Sequence, residues 1–170
     1  MKSKKNIVLV GMMGSGKSSI GRILSKKLNL DFVDIDEKIE EEEKLSISEI
    51  FKIKGEKHFR KVEEKISINF LNLNEKVISL GGGAYINKSI RNETLKNSIS
   101  VWLNWKHQVL INRIKNSKKR PLAIKLSTFE LKTLIDYRSK IYNRSNLKIN
   151  CDNLEKNEIV KKIIKFYENK

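Results

Sequence analysis

Eight residues near the N-terminus constrain the fold of this 170-residue chain more than any other segment. Residues 11–18 read G-M-M-G-S-G-K-S and fit the pattern G-x-x-x-x-G-K-[ST], in which a glycine-rich turn presents backbone N–H groups to phosphate oxygens. A short apolar run precedes the segment, and apolar residues with helical spacing follow it. The context predicts a loop between a buried strand and a helix, with Lys17 reaching nucleotide phosphates and Ser18 binding Mg²⁺.

Short apolar runs alternate with stretches of helical periodicity along the rest of the chain. The predicted strands are residues 7–10, 31–35, 77–80, 100–103 and 147–150. The predicted helices are residues 17–28, 37–44, 48–53, 56–72, 88–97, 106–115, 128–145 and 156–168. Capping-box spacing at Ser46/Glu49 and Ser127/Glu130 marks two helix starts. This order favours an α/β fold with a parallel sheet covered on both faces, in a single domain over residues 1–170.

The formal net charge of +16, from 36 Lys and Arg against 20 Asp and Glu, suggests a nucleic-acid partner at first sight. However, 29 of the cations are lysines in a chain also rich in Asn and Ile, which indicates a general compositional bias. The sequence contains no run of 18 apolar residues, so no membrane span is predicted. The single cysteine, Cys151, excludes an internal disulfide and a cysteine-based zinc site. We therefore expect a cytoplasmic protein that binds neither nucleic acid nor membranes.

Two carboxylates close the second predicted strand. Asp34 and Asp36 are two residues apart, so on a strand both side chains point to the same side. Ligands of open α/β sheets bind at the carboxyl ends of the strands. Carboxylates at that edge can organise Mg²⁺ and accept a proton from a hydroxyl group. A solvated pair of acids, or a helix N-cap formed by Asp36, accounts for the same residues equally well.

Four further features carry weaker signals. Arg60 can project from its predicted helix as an anion ligand, although a surface arginine is the simpler explanation. The triplet Gly81–Gly83 follows the third strand and serves either a tight turn or a close approach of the backbone to a ligand. The basic residues 118–122 can close over a triphosphate or form a solvated charge run. Arg138 and Tyr142 share one helix face, which packing alone can explain.

Taken in this order, these segments resemble the shikimate kinase family over nearly the whole chain, from Ile7 to the C-terminal helix. The set comprises the phosphate loop, the D-I-D pair, G-E-K-H-F-R at 55–60, the glycine triplet, K-R-P-L at 119–122 and R-S-K-I-Y at 138–142. The resemblance implies ATP-dependent phosphorylation of the 3-hydroxyl of shikimate in aromatic amino-acid biosynthesis. It also implies a three-layer P-loop fold with strand order 2-3-1-4-5, a lid near residues 115–126 and a shikimate-binding helical region near residues 36–62.

The resemblance further implies a role for each matching residue. The implied nucleotide contacts are Gly14, Ser15, Gly16, Lys17, Ser18, Ser19, Arg113 and Arg120. The implied shikimate contacts are Asp36, Arg60, Gly81, Gly82, Gly83 and Arg138, with the Phe51 and Phe59 region lining the pocket. Ser18 is the implied direct ligand of Mg²⁺ and Asp34 the ligand through water, while Lys17, Asp36 and Arg120 are the implied catalytic residues. ATP and shikimate are then the expected partners, and we expect a monomer.

Small departures from the family pattern leave one question open. Leu80 precedes the triplet where a small residue is usual, and Ser19 replaces a common threonine. Lys140 stands where the family often has proline. The geometry of the helix that carries Arg138 is therefore open at this stage.

Two other functions remain as alternatives. Another small-molecule P-loop kinase, such as a gluconate kinase, shares the phosphate loop but should lack the set of Arg60, the glycine triplet and Arg138. A basic nucleic-acid-binding regulator accounts for the charge but gives Asp36 no role. The seven arginines favour the kinase interpretation, because four of them fall on implied ligand positions in a lysine-rich chain. A guanidinium matches the forked acceptors of carboxylates and phosphates in a way that an ammonium does not.

Overall fold

The computed structural model describes residues 5–117 and 125–170. Its strands are β1 (Asn6–Val10), β2 (Asp31–Asp34), β3 (Lys76–Ser79), β4 (Ser98–Asn104) and β5 (Leu147–Asn150). Its α-helices are α1 (Lys17–Leu28), α2 (Ile35–Glu43), α3 (Ile47–Ile53), α4 (Gly55–Leu71), α5 (Lys88–Asn97), α6 (His107–Lys115), α7 (Thr128–Tyr142) and α8 (Lys156–Glu168). A short 3₁₀ helix covers Ala84–Ile86 between β3 and α5.

The five strands form one sheet in the order β2-β3-β1-β4-β5, and every neighbouring pair is parallel. The predicted α/β class and strand order are both confirmed. The central strand β1 pairs with β3 on one side and β4 on the other, and all five of its residues are buried. The loops that follow β1, β3 and β2 therefore meet at one edge of the sheet. Those loops carry the phosphate pattern, the glycine triplet and the D-I-D pair.

Alternation along β1 divides the core between the two faces of the sheet. Val8 and Val10 face one cluster of buried side chains, which draws on α2 to α7. Ile7 and Leu9 face a second cluster, built mainly from α1 and α8. A strand buried on both sides reads as an unbroken apolar run, which is the pattern that the sequence shows at this point.

The second strand ends one residue earlier than the sequence pattern predicts, and this corrects the expected geometry of the two carboxylates. Asp34 is the last residue of β2 and the N-cap of α2, and its Oδ1 accepts a hydrogen bond from the Asp36 backbone N–H at 3.1 Å. Asp36 therefore lies in the first turn of a helix and not on a strand. The two side chains do not alternate along a strand, because helix capping by Asp34 competes successfully with continued strand pairing.

The other boundaries differ from the prediction by a few residues at most, with the largest difference at the end of α7. Both predicted capping boxes are present, at Ser46/Glu49 and Ser127/Glu130. Helix α7 runs without interruption through Lys140 but ends at Tyr142, and not at residue 145. Ser145 closes it, because its backbone N–H and its hydroxyl both donate to the Tyr142 carbonyl, at 2.9 and 2.7 Å. Within the described residues, no helix is long and apolar enough to cross a membrane.

Asn6, fully buried at the start of β1, connects this strand to the turn before β3. Its amide group donates to the carbonyls of Leu71 and Leu73, at 3.3 and 2.6 Å, and its Oδ1 accepts from the Lys76 backbone N–H at 2.9 Å. These bonds satisfy backbone groups in the segment that carries the chain from α4 into β3.

We expect Asn6→Ala to lower the free energy of unfolding by about 2–4 kcal/mol, because it leaves buried backbone groups without partners. The measurement is equilibrium urea unfolding of both proteins. Asn169→Ala is the matched control, since Asn169 makes a similar bond to the Lys165 carbonyl at the exposed C-terminus. Equal effects of the two substitutions would show that the Asn6 bonds do not support the sheet.

Candidate active site

The loop after β1 has the backbone conformation that its glycines permit. Gly11, Gly14 and Gly16 have φ angles of 142°, 78° and 88°, a region that other L-residues rarely adopt. Gly16 is the N-cap of α1, and no described side chain caps that helix. The N–H groups of the first helical turn and the positive end of the helix dipole therefore lie at the loop, as anion binding requires. The geometry is that of a phosphate-binding loop.

Lys17 and Ser18 open helix α1 at this loop. Lys17 is buried, and its ammonium donates to the carbonyls of Gly11 and Met12, both at 2.9 Å. The Ser18 hydroxyl donates to Asp34 Oδ2 at 2.5 Å, so the two implied magnesium residues are in direct contact. Ser19 lies half-buried in the same helical turn. A cation, a hydroxyl and a carboxylate thus lie together beside the N-terminus of α1.

The three glycines after β3 bring polar side chains against the backbone. A Cβ atom on Gly81 would lie 2.7 Å from Asp36 Oδ1 and 2.8 Å from Glu63 Oε1. A Cβ on Gly83 would lie 2.7 Å from Arg60 Nη1. The triplet is absent from the residues with positive φ, so close approach and not turn geometry is the reason for glycine here.

The middle glycine joins the triplet to the phosphate loop. A Cβ on Gly82 would lie 3.0 Å from the Met13 backbone nitrogen and 3.6 Å from Arg138 Nη1. The Gly82 carbonyl accepts hydrogen bonds from Arg138 Nη1 at 3.2 Å and from the Tyr142 hydroxyl. Helix α7 therefore presents Arg138 to the triplet, and the pair at i and i+4 contacts the site in addition to packing.

Glu63 is a site residue that the sequence analysis missed. Its side chain is 2% exposed, and its Oε2 accepts a hydrogen bond from Arg60 Nη1 at 2.7 Å. Burial raises the pKa of Glu63, the Arg60 guanidinium opposes that rise, and the nearby Asp36 carboxylate adds to it. The one signal in the sequence was the spacing of three residues from Arg60 on the same helix, which places the two side chains on one face.

Arg60 is held on three sides. Besides Glu63, it pairs with Glu56 at 3.2 Å, and its guanidinium lies 5.1 Å from the centroid of the Phe59 ring. Burial alone lowers the pKa of Arg60, but the ion pairs with Glu63 and Glu56 outweigh it and the net shift is upward. Phe59 in turn packs on Phe51, with ring centroids 4.7 Å apart. The guanidinium is thus fixed in place as a permanent cation.

Arg113 contacts the opposite side of the phosphate loop. Its Nη1 donates to the Gly14 carbonyl at 3.2 Å, and its guanidinium lies 4.0 Å from the centroid of the Trp105 ring. Trp105 Nε1 donates to the Ser15 carbonyl at 2.9 Å. Trp105 is the second residue that the sequence analysis missed, because neither a motif nor the hydrophobic periodicity singles it out.

Arg120 and most of the expected lid, residues 118–124, lie outside the described residues. Their roles stay predictions. Across the two described ranges, no group of three or more His, Cys, Asp or Glu side chains is arranged to hold a metal ion.

Two residue types are not used at this site. His58 contacts Glu43 at 3.1 Å, and His107 contacts Asp136 at 2.6 Å, both as hydrogen-bond partners on helices. Cys151 is buried, and burial together with Asp152 raises its pKa to about 12, so the thiol stays protonated and is a poor nucleophile.

The geometry therefore joins two binding regions. The first is the phosphate loop with Lys17, Ser18 and Asp34, which suits the phosphates of a nucleotide. The second is the group of Asp36, Arg60 and Arg138 around the triplet, which suits a small hydroxylated anion. The contact between Gly82 and Met13 places the two regions side by side, as transfer of a phosphoryl group requires.

The chain is similar to known proteins in both sequence and fold. A model of the shikimate kinase family matches residues 13–168. A shikimate kinase from Sulfurihydrogenibium sp. (strain YO3AOP1) is 42% identical over 160 residues, which cover 94% of this chain and 96% of that protein. The structure of shikimate kinase from Acinetobacter baumannii in complex with shikimate matches with a TM-score of 0.92 and 28% identity, and covers 98% of this chain and 94% of that one.

One of the alternatives from the sequence also has a structural counterpart. A gluconokinase from Sinorhizobium meliloti 1021 covers 99% of this chain and 97% of its own, but with 17% identity and a TM-score of 0.59. That likeness shows a common fold alone. The family model instead spans nearly the whole chain, and the chain belongs to the shikimate kinase family.

Proposed function

We propose that this chain transfers the γ-phosphoryl group of ATP to the 3-hydroxyl of shikimate, a step of aromatic amino-acid biosynthesis. The observation that carries the proposal is the junction at Gly81–Gly83, where Asp36, Arg60 and Arg138 approach one short piece of backbone beside the phosphate loop. A carboxylate and two guanidinium groups match an acceptor that has hydroxyl groups and one carboxylate.

On the nucleotide side, the phosphates of ATP lie in the loop of residues 11–18 and receive its N–H groups. Lys17 moves from the carbonyls of Gly11 and Met12 to the β- and γ-phosphates, a short distance because its ammonium already lies inside the loop. Arg120, from the lid, adds a second cation to the transferred group. Arg113 stands beside the adenine ring.

The contact between Ser18 and Asp34 fits Mg²⁺, which takes oxygen ligands and keeps several of its waters. Ser18 would bind the ion directly and Asp34 through water. When bound, Mg²⁺ neutralises charge on the β- and γ-phosphates. With no larger acidic cluster among the described residues, the phosphates of the nucleotide would supply the other ligands.

On the acceptor side, Arg60 and Arg138 bind the shikimate carboxylate and fix the orientation of the ring. Glu63 keeps Arg60 in place and does not itself contact the reacting atoms. Asp36 accepts a hydrogen bond from the 3-hydroxyl and takes its proton as the new O–P bond forms and the bond from the γ-phosphorus to the departing ADP oxygen breaks. Phosphoryl transfer needs little covalent chemistry from the protein, so this alignment and the surrounding cations provide the catalysis.

A kinase for another polyhydroxy acid is the second candidate, and a substrate panel separates the two. We expect ADP release with shikimate and ATP, and release near background with gluconate. Activity with gluconate and none with shikimate would contradict the proposal. The monomeric state and the cytoplasmic location stay predictions.

We expect Asp36→Asn to reduce kcat by at least about 100-fold, because general-base catalysis contributes 10²–10⁴-fold, while ATP still binds. A coupled assay of ADP release and a separate ATP titration measure the two effects. Asp31→Asn is the matched control, since Asp31 lies exposed at the opposite end of β2. Near-wild-type turnover of the Asp36 variant would exclude its proposed role.

We expect Arg60→Lys to raise the KM for shikimate about 10- to 150-fold, as the loss of a charge-assisted pair worth about 1.5–3 kcal/mol implies. The KM for ATP should stay within about twofold, because Arg60 contacts the triplet and not the phosphate loop. Arg144→Lys, at an exposed position after α7, is the control. An unchanged KM for shikimate in a folded Arg60 variant would contradict the assignment.

The raised pKa of Glu63 predicts a pH-dependent cost in stability. Between the ordinary pKa of a glutamate and its raised value in the fold, the native state binds more protons than the unfolded state, so stability falls as pH rises through that range. Glu63→Gln removes this titration and keeps a hydrogen-bond acceptor for Arg60. We therefore expect the variant to gain stability relative to wild type as the pH rises above the ordinary pKa of a glutamate.

Urea unfolding of both proteins at several pH values tests this expectation. Glu64→Gln is a matched control on the next position of α4, where the side chain is half-buried and accepts a bond from Asn87. A stability difference between Glu63→Gln and wild type that stays constant with pH would refute the predicted titration.

A further inference from the structure

The indole ring of Trp105 contacts both the phosphate loop and Arg113. Trp105 follows β4 directly and is half-buried, packed against the apolar clusters on both faces of the sheet. Its Nε1–H donates to the Ser15 carbonyl at 2.9 Å, across 90 residues of sequence. Its ring face lies 4.0 Å from the centre of the Arg113 guanidinium.

We propose that Trp105 is a positioning residue for the nucleobase, which stacks on Arg113 as the third layer of an indole–guanidinium–purine stack. This inference rests on the proposed use of ATP, and it adds a residue that acts through Arg113 and the loop. The Arg113 guanidinium carbon lies over the Trp105 ring, so the indole occupies one side of the group. Arg113 is exposed, which leaves part of its side chain open to a ligand.

Two contacts restrain the guanidinium of Arg113 before a nucleotide arrives. The hydrogen bond to the Gly14 carbonyl at 3.2 Å sets the position of one terminal nitrogen, and the contact with the indole ring restricts the rest of the group. An arginine side chain without such contacts has several rotatable bonds, and binding a base would have to order them. Pre-organisation removes that entropic loss from the binding step.

The same ring also holds the phosphate loop. The Ser15 carbonyl belongs to the turn between Gly14 and Gly16, whose N–H groups are the expected phosphate donors. One rigid side chain therefore sets the distance between the phosphate site and the base site. Phenylalanine can preserve the stack at this position but not the bond to Ser15, and leucine preserves neither.

Trp102 shows that the arrangement is specific to Trp105. Trp102 is 5% exposed inside β4, and the cation over its ring is Lys148 of β5, at 4.6 Å. A lysine ammonium has no plane on which a base can stack. The described structure thus holds two tryptophans with cations over their rings, and only Trp105 pairs with a guanidinium at the phosphate loop.

The test compares Trp105→Leu and Trp105→Phe with wild type in the ADP-release assay. We expect Trp105→Leu to raise the KM for ATP about three- to tenfold, and the KM for shikimate to stay within about twofold. Trp105→Phe should restore part of the ATP affinity, because it keeps a ring under Arg113. Phe166→Leu is the matched control, since it removes a ring beneath Lys170 on α8, where no site residue lies.

A double variant tests whether Trp105 acts through Arg113. If it does, Trp105→Leu should weaken ATP binding less in an Arg113→Ala background than in wild type, because only the contribution through the Ser15 bond remains. Independent, multiplicative effects would overturn the proposal, as would an unchanged KM for ATP in Trp105→Leu. Equal increases in the KM values for ATP and shikimate would also overturn it, since they indicate general damage to the fold.

Titration of each variant with ADP in the absence of an acceptor separates this inference from the proposed function. A wild-type protein that binds ADP but does not phosphorylate shikimate contradicts the proposed reaction, while the ADP titrations still test Trp105. A wild-type protein that phosphorylates shikimate, combined with unchanged ADP affinity in Trp105→Leu, contradicts the role of Trp105 alone. If Trp105→Leu does not fold, Trp105→Phe and Arg113→Ala are each compared with wild type, and unchanged ADP affinity in both overturns the proposal.

Discussion

The site depends on the close approach of polar side chains to the backbone of Gly81–Gly83. Asp36 and Glu63 occupy the space that a Cβ on Gly81 would need, and Arg60 occupies the same space at Gly83. Gly82 lies against the backbone of the phosphate loop and accepts hydrogen bonds from Arg138 and Tyr142. A larger residue in the triplet would separate helices α2, α4 and α7 from one another and from the loop. The strand order brings these elements near one another, and the absence of a Cβ atom at each glycine allows them to come into contact.

Electrostatics then determine where arginine is required in this lysine-rich chain. Arg60, Arg113 and Arg138 each use the fork or the plane of the guanidinium, for a carboxylate, an indole ring or a carbonyl group. Arg91 shows that the same demand arises away from ligands. It is buried and donates to the carbonyls of Tyr85 and Ile86, at 3.0 and 2.9 Å, and so fixes the 3₁₀ helix that follows the triplet. Arginine in this chain therefore occurs at contacts that need the shape of a guanidinium group. Some of these contacts, such as those of Arg91, stabilise the backbone next to the site.

The sequence predicted elements better than it predicted the surroundings of side chains. Hydrophobic periodicity located every described strand and α-helix, because the spacing of buried residues can be read within each short segment of sequence. The position of Asp36 was wrong, because strand and helix compete at Asp34 and a single capping bond decides between them. Glu63 and Trp105 were missed for a different reason. Their partners, Gly81 and Ser15, lie on other elements, and no local pattern reports contacts of that range.

The sequence by itself determined the phosphate loop, the α/β class and the family, since each follows from residue types at fixed short spacings. Positive φ angles at Gly11, Gly14 and Gly16 were already implied by the loop pattern. Only the tertiary structure decided how the acceptor side is built: which carboxylate is exposed to a ligand and which is buried behind Arg60. That distinction between Asp36 and Glu63 arises from solvent exclusion by several elements at once. Burial is a property of the assembled fold, and it cannot be read from the spacing of two acidic residues along the chain.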